Sequence, residues 1–326
     1  MKKQIAWLLL AAVLMMSAAG CGSNTGGADA DTETDQAEAT EAIVDADYDP
    51  YAVENIYQLA TELTAANPTT DYGTIDQDVK YYSETAGAYK HCNVLLPPGY
   101  DENQTYPVLY MLHGWTSSYK VHLSKTSYLT LLYGNMLRDS LTVDMIIVAV
   151  EMNTGDHKKA EGDMSDEELL AAYSKVIDDI PNDLMPFIEA HYPVRTGREN
   201  TAIMGISQGG TKALAAGFKR LDLFGYIASF APDPGVVPTD FLTGTIWNEP
   251  LLEEFPVYSE DTAPYYLYLA VGSEDPENVE VTKFYGKELT RLGYKNQTDV
   301  ADGYAHDHEF WRVAFYNFLH KIFRDQ

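Results

Sequence analysis

Gly205, Ser207 and Gly209 form the pattern G-x-S-x-G, the part of the sequence best suited to covalent chemistry. A short apolar run, 201–204, precedes the pattern, and an Ala-rich, helix-favouring segment follows it. This order is typical of a serine nucleophile on a tight strand-to-helix turn, where glycines let the backbone approach closely. We therefore predict that Ser207 is a nucleophile. An ordinary strand-to-helix turn is the alternative, because such short patterns also arise by chance.

A serine hydroxyl needs a base to take its proton and an acid to orient that base. Glu274 and Asp275 come soon after the apolar run 268–271, and open α/β sheets build their sites at the carboxyl ends of such strands. We select Asp275 as the orienting acid and keep Glu274 as the competitor. A solvated loop carboxylate is the alternative for either.

Two histidines follow the last predicted strand and precede the terminal helix. We select His306 as the base and expect His308 to line the substrate pocket or to begin the helix. The two flank Asp307, so zinc coordination is the competing interpretation, but no third ligand occurs at a suitable spacing. We therefore predict no metal and no cofactor.

Two backbone N–H groups must stabilise the oxyanion that forms when a serine attacks a carbonyl carbon. Gln208 follows the nucleophile and is the first predicted donor. Trp115, in the loop after the third predicted strand, is the second. His113 stands two residues earlier, and we expect it to pack beneath the site.

The elements around these residues alternate between strands and helices. Continuous apolar runs at 107–112 and 145–150 predict strands buried on both faces, and the helical stretch 129–137 between them predicts a parallel crossover. Alternating apolar residues predict an antiparallel pair, 74–82 with 88–96, at the N-terminal edge. Further strands are predicted at 226–230, 265–271 and 297–300, and further helices at 51–66, 165–192, 281–292 and 308–323. The sequence thus predicts an α/β fold with a mostly parallel, doubly wound sheet.

The segment 231–262 is rich in proline but also contains Phe241, Trp247 and Phe255. It is too broken for a long helix and too aromatic for a plain solvated loop. One interpretation is a cap over Ser207 in which Trp247 contacts substrate. The other is that these aromatic side chains anchor the loop to the body of the domain.

The N-terminus has the layout of an export signal, residues 1–20, with two lysines, an apolar run and small residues before Cys21. This arrangement is similar to a bacterial lipobox and predicts a lipidated Cys21 on the cell surface. A cleaved signal peptide with an incidental cysteine is the alternative. Residues 21–50 are rich in Gly, Ala, Thr, Asp and Glu, which predicts a flexible acidic tether. The remaining residues, 51–326, are expected to form the catalytic domain.

The net charge of −27 argues against nucleic acid or anionic lipid as a partner, because both carry negative charge themselves. The chain contains two cysteines, Cys21 and Cys92. If Cys21 carries lipid, no structural disulfide within the chain is expected.

Four motifs together resemble the esterase D-like group, and within it carbohydrate esterase family 1. They are the stretches 94–100 and 106–114, the segment 205–210, and His306 followed by Trp311. The resemblance covers about residues 71–323. It implies an α/β-hydrolase fold and no cofactor, and in that fold the catalytic residues follow the order serine, acid and histidine. The activity it implies is hydrolysis of feruloyl or acetyl esters on plant xylan.

The leading prediction is therefore an exported serine esterase that acts on acylated plant polysaccharide. Two features depart from the resembled pattern, since Gln208 stands where methionine is common and His308 stands where an aromatic residue is common. Both departures leave open which acyl group the esterase would remove. Alternatives are another exported esterase D-like hydrolase or acyltransferase with a siderophore or small-ester substrate, and a catalytically silent surface carbohydrate-binding module.

Overall fold

Within residues 48–324, which are those that the computed structural model describes, eight strands form one sheet in the order β1-β2-β4-β3-β5-β6-β7-β8. The strands are β1 (Thr74–Ser83), β2 (Ala88–Leu96), β3 (Val108–Leu112), β4 (Ile146–Val150), β5 (Thr201–Ile206), β6 (Tyr226–Phe230), β7 (Tyr266–Gly272) and β8 (Gln297–Ala301). The predicted signal peptide, Cys21 and most of the predicted tether lie outside the described residues.

The sheet is mostly parallel, and its antiparallel part is confined to one edge. β1 pairs antiparallel with β2, and β2 pairs antiparallel with β4. Every later pairing, from β4–β3 to β7–β8, is parallel. The predicted α/β fold with an antiparallel N-terminal edge is confirmed.

Helices cover both faces of this sheet. They are α1 (Thr61–Thr64), α2 (Tyr119–His122), α3 (Tyr128–Arg138), α4 (Asp166–Ser174), α5 (Val176–Asp179), α6 (Met185–His191), α7 (Gln208–Lys219), α8 (Pro276–Arg291) and α9 (His308–Leu319). Alternate residues of β3 enter opposite cores, because successive side chains of a strand point to opposite faces. Tyr110 joins the core beneath α7, whereas Met111 joins the core beneath α3 and α9. Burial on both faces explains why β3 and β4 are continuously apolar.

The predicted helix at 51–66 is wrong over most of its length, since only α1 is helical there. Side chains of later elements form hydrogen bonds with the polar groups of this segment instead. The N–H of Ile56 donates to Asn317 Oδ1 at 2.8 Å, and the Asn317 amide donates to Ile56 O at 2.9 Å. Tyr57 donates to Asp299 Oδ2 at 2.5 Å. These tertiary contacts hold the apolar residues in place without a local helix.

The predicted helix 165–192 is present but divided. It begins with the predicted capping box between Ser165 and Glu168. It then runs through α4, α5, a π-helical segment (Ile180–Leu184) and α6. Pro181 has no N–H to donate, which accounts for the local change of helix type. In the part of the chain that the structure covers, no helix is both long and apolar enough to cross a bilayer.

Candidate active site

Ser207 lies in the turn between β5 and α7, with φ of 56° and ψ of −125°. Positive φ is unfavourable for a residue with a side chain and is found where the surrounding structure enforces it. Here the N–H of Ser207 donates to Phe230 O of β6 at 2.8 Å. Such a strained turn exposes the serine hydroxyl at the carboxyl edge of the sheet, as the G-x-S-x-G pattern predicts.

The glycines around Ser207 are required by close backbone approaches. A Cβ at Gly205 would lie 2.0 Å from Gly209 O, and a Cβ at Gly209 would lie 2.3 Å from His113 O. A Cβ at Gly114 would lie 3.5 Å from Ser207 Cβ. The loop after β3 therefore runs directly beside the candidate nucleophile.

His306 and Asp275 are paired, although they come from loops after different strands. His306 Nδ1 and Asp275 Oδ2 are 2.6 Å apart. The Asp275 side chain is nearly buried, with 8% exposed, whereas that of His306 is 40% exposed. Burial would lower the pKa of His306, but the hydrogen bond to Asp275 and the charges of the nearby carboxylates together raise it.

Backbone contacts hold the acid loop and the histidine loop together. The N–H of Glu274 donates to Tyr304 O at 2.8 Å, and the N–H of Gly303 donates to Ser273 Oγ at 2.9 Å. A Cβ at Gly272 would lie 2.2 Å from Tyr304 O, so glycine at the end of β7 permits this approach. The fold thereby presents a histidine hydrogen-bonded to a carboxylate at the same edge of the sheet as Ser207.

The competing residues occupy other positions. Glu274 lies beside Asp275, but its carboxylate contacts Ser273 Oγ at 3.5 Å. His308 begins α9, and its ring packs 5.0 Å from the ring of Tyr128. His113 is 2% exposed beneath the site, and burial lowers its pKa to about 4. These positions match the expectations for His308 as the first helical residue and for His113 as a packing residue.

The expected oxyanion donors lie on two sides of Ser207. Gln208 is the first residue of α7, so its N–H belongs to the helix N-terminus, where N–H groups lack intrahelical partners. Trp115 directly follows Gly114, the residue beside Ser207 Cβ. Their roles as donors stay predictions.

Two of the aromatic side chains of segment 231–262 pack against helices of the domain. Phe255 packs 4.8 Å from Phe218 of α7, and Phe241 packs 5.7 Å from Phe284 of α8, measured between ring centroids. These two side chains anchor the segment. Trp247 instead packs edge-on against Trp115, with ring centroids 4.9 Å apart, which places it beside the loop next to Ser207.

Comparison with known families supports the chemistry that this geometry suggests. Residues 83–322 match the model of the family described as "Putative esterase". The chain belongs to this esterase family. A solved structure similar to this esterase is the CE1 ferulic acid esterase of the anaerobic fungus Anaeromyces mucronatus in complex with ferulic acid. The two are 31% identical with a TM-score of 0.75, covering 84% of this chain and 99% of the fungal chain.

Two curated relatives are longer proteins. The esterase is 26% identical over 260 residues to an endo-1,4-beta-xylanase/feruloyl esterase of Xylanibacter ruminicola, covering 78% of this chain and 32% of the relative. It is 28% identical over 175 residues to an iron(III) salmochelin esterase of Escherichia coli, covering 50% of this chain and 39% of the relative. The chain thus spans between about a third and two fifths of the length of these relatives. The family match and the fungal structure, which is matched over nearly its whole length, show that the chain is a member of an esterase family.

One polar residue of the esterase site escaped the sequence analysis. Asp233, three residues after β6, has its Oδ2 3.5 Å from Ser207 Oγ. Its position after a parallel strand was a usable signal, because such ends line the site edge of the sheet. Among the described residues, no group of three or more His, Cys, Asp or Glu side chains is arranged to hold a metal ion.

Proposed function

We propose that this esterase hydrolyses feruloyl or acetyl esters on plant cell-wall polysaccharide, xylan in particular, through a Ser-His-Asp acyl-enzyme mechanism. The observation that carries the proposal is the strained Ser207 turn at the same sheet edge as the 2.6 Å His306–Asp275 pair. The likeness to a ferulic acid esterase over nearly the whole of that chain supports the substrate class.

In this mechanism Ser207 Oγ attacks the ester carbonyl carbon while His306 takes the hydroxyl proton. Asp275 holds the imidazole through Nδ1 and stabilises its charge. The N–H groups of Gln208 and Trp115 stabilise the oxyanion. His306 then gives its proton to the departing sugar hydroxyl, and water, deprotonated by the same histidine, releases the acid from Ser207.

The aromatic pair Trp115 and Trp247 favours a feruloyl over an acetyl group. Both side chains are half-buried, and the pair adjoins the loop beside Ser207. Tyr173 of α4 supports the pair from behind, with its ring centroid 5.4 Å from that of Trp115. An aromatic acyl group gains contact area from such a wall, whereas an acetyl group offers little area for this contact.

Trp247→Ala tests this proposal. We expect KM for methyl ferulate to rise roughly tenfold, corresponding to about 1.4 kcal/mol, while the kinetics with an acetyl ester barely change. Phe241→Ala is the matched control, because Phe241 lies in the same segment but packs against Phe284. An equal loss on both esters, or a loss explained by a lower Tm as in the control, would show that Trp247 only anchors the segment.

The salmochelin esterase relative supports a second candidate, hydrolysis of a siderophore ester. Parallel turnover assays with iron(III) salmochelin and with feruloylated xylan oligosaccharides distinguish the two. Preference for the siderophore would replace the polysaccharide proposal while retaining the serine mechanism. No turnover of either ester, with no labelling of Ser207 by a fluorophosphonate, would instead favour a silent binding module.

A further inference from the structure

Asp233 connects the nucleophile turn to the end of β6. Its Oδ2 accepts a hydrogen bond from Gln208 Nε2 at 2.8 Å and lies 3.5 Å from Ser207 Oγ. Its Oδ1 lies 3.3 Å from Asn278 Nδ2 of α8. Its main-chain oxygen accepts from Thr211 Oγ1 at 3.0 Å. Neither Asp275 nor His306 makes these contacts, so Asp233 is a second carboxylate on the serine side of the site.

Gln208 is held at both ends of its side-chain amide. Its Nε2 donates to Asp233, and its Oε1 accepts from Lys212 Nζ. Gln208 is 1% exposed and Lys212 is 2% exposed. The lysine, the amide and the carboxylate thus form a chain of directed hydrogen bonds, which fixes the side chain of the residue expected to supply an oxyanion donor. A methionine at position 208 would make neither hydrogen bond.

The charge of Asp233 also acts on His306. Three carboxylates face that imidazole, from Asp275, Asp233 and Asp307, and all raise its pKa against the opposing effect of burial. On its other side Asp233 faces Lys212. Burial raises the pKa of Asp233, and the lysine charge lowers it. Burial lowers the pKa of Lys212 to about 8.

We propose that Asp233 is a positioning residue of the esterase site, which holds Gln208 in place behind the nucleophile and sets a negative charge beside the Ser207 hydroxyl. This inference rests on the proposed Ser207–His306 chemistry. Asp233 does not replace Asp275, because His306 Nδ1 is already bonded to the Asp275 carboxylate.

The test measures the rate at which a fluorophosphonate probe inactivates the full chain between pH 5 and 9. Reaction requires neutral His306, so the rate falls as the pH drops below the pKa of that residue. Asp233→Asn removes the charge, and the asparagine Oδ1 can still accept from Gln208. The pKa of His306 then falls. We expect the acid limb of the profile, the pH range in which the inactivation rate declines, to move to lower pH by about half a unit or more.

Asp307→Asn is the matched control, since it removes a carboxylate that also faces His306. Asp307 caps α9, a role that asparagine also fills, and it is exposed to solvent. We expect a smaller shift, because solvent screens its charge. Coincident acid limbs for Asp233→Asn and wild type, or an equal shift in the control, would overturn the charge role.

Asp233→Ala separates positioning from a merely structural role. Without an acceptor for Gln208, we expect the plateau rate per folded molecule to fall about tenfold, whereas Asp233→Asn retains most of it. A wild-type plateau in the alanine variant overturns the positioning role. If the alanine variant does not fold, the pH profile of Asp233→Asn alone tests the proposal. A wild-type chain that the probe fails to label contradicts the serine mechanism itself, and this proposal with it.

Discussion

Ser207 and His306 act as a unit in the proposed mechanism, because the serine is a poor nucleophile unless the histidine removes its proton. We expect Ser207→Ala and His306→Ala each to lower kcat by at least about a thousandfold. Ser207→Ala keeps the Cβ and removes only the hydroxyl, so we expect the backbone path between the neighbouring glycines to stay unchanged. The measurement is steady-state hydrolysis of an activated ester, with circular dichroism to verify folding.

His308→Ala is the matched control for the histidine assignment. The ring of His308 packs against Tyr128 at 5.0 Å, whereas the histidine hydrogen-bonded to Asp275 is His306. We expect kcat to stay within about tenfold of wild type. An inactive His308→Ala beside an active His306→Ala would reverse the assignment of the base.

Asp275→Asn tests the orienting acid. The amide can present its N–H₂ to Nδ1 and so favour the wrong imidazole tautomer, and we expect kcat to fall by roughly a thousandfold to ten-thousandfold. This loss should be smaller than that caused by Ser207→Ala. Glu274→Gln, one residue away, should leave kcat nearly unchanged. If the Glu274 variant proves the more damaged one, the acid is misassigned.

The sequence predicted Ser207, Asp275 and His306 because each stands in a fixed place relative to a strand, and the structure brings the last two within hydrogen-bonding distance. Asp233 also follows a strand, but it belongs to no recognisable motif. Its approach to Ser207 depends on how the chain turns after β6, where Ala231 has a positive φ of 44°. Secondary-structure propensity and hydrophobic periodicity do not predict the turn after β6.

At the scale of elements, the junction of β5 and α7 is packed too tightly for any side chain at position 209. A Cβ there would lie 2.3 Å from His113 O and 2.5 Å from Leu112 O, both backbone atoms at the end of β3. We expect Gly209→Ala to reduce the free energy of unfolding by about 3 kcal/mol, since the turn and β3 must separate. Chemical denaturation followed by tryptophan fluorescence measures this loss.

Gly162→Ala is the control for that substitution. Gly162 lies in a 3₁₀ turn (Glu161–Asp163), and a Cβ there would meet nothing within 4 Å. We expect the stability of this variant to remain within about 0.5 kcal/mol of wild type. Equal stabilities for the two alanine variants would show that the turn between β5 and α7 accommodates a Cβ at position 209 without loss of stability. That result would contradict the expectation drawn from its packing.

The strands were the elements best predicted from sequence, because burial on both faces leaves a continuous apolar run. The segment 51–66 was predicted wrongly for a physical reason. Its helical spacing of apolar residues reflects burial against distant elements, and Asn317 satisfies the backbone of Ile56 from 261 positions away. Local periodicity does not distinguish an amphipathic helix from a non-helical segment that is buried against distant elements.

At the scale of the whole molecule, the parallel sheet assembles a site from residues far apart in sequence. The loops after β3, β5, β6, β7 and β8 supply Gly114, Ser207, Asp233, Asp275 and His306, respectively. Parallel strands place all of these loops at one edge. Because five of the six parallel strands are followed by a loop that contributes a group, the site depends on the assembled sheet.

We further propose that the esterase is held at the cell surface by lipid on Cys21, a position outside the described residues. A diacyl group provides stable membrane attachment where a single chain does not. The predicted acidic tether of residues 21–50 would separate the catalytic domain from the bilayer by about 30 Å, as expected of a flexible chain of this length. The charge of −27 disfavours direct contact with anionic lipid and would keep the domain in solution, facing its substrate.

Cys21→Ser tests the anchor. Without a thiol to acylate, the exported protein should move from the membrane fraction to the medium, while its specific activity on soluble esters stays the same. Cys92→Ala is the matched control, because that cysteine is buried in the domain and cannot be reached by an acylating enzyme. It should therefore remain with the membrane. Wild-type protein found in the soluble fraction with an unmodified N-terminus would rule out the anchor and favour a cleaved signal peptide.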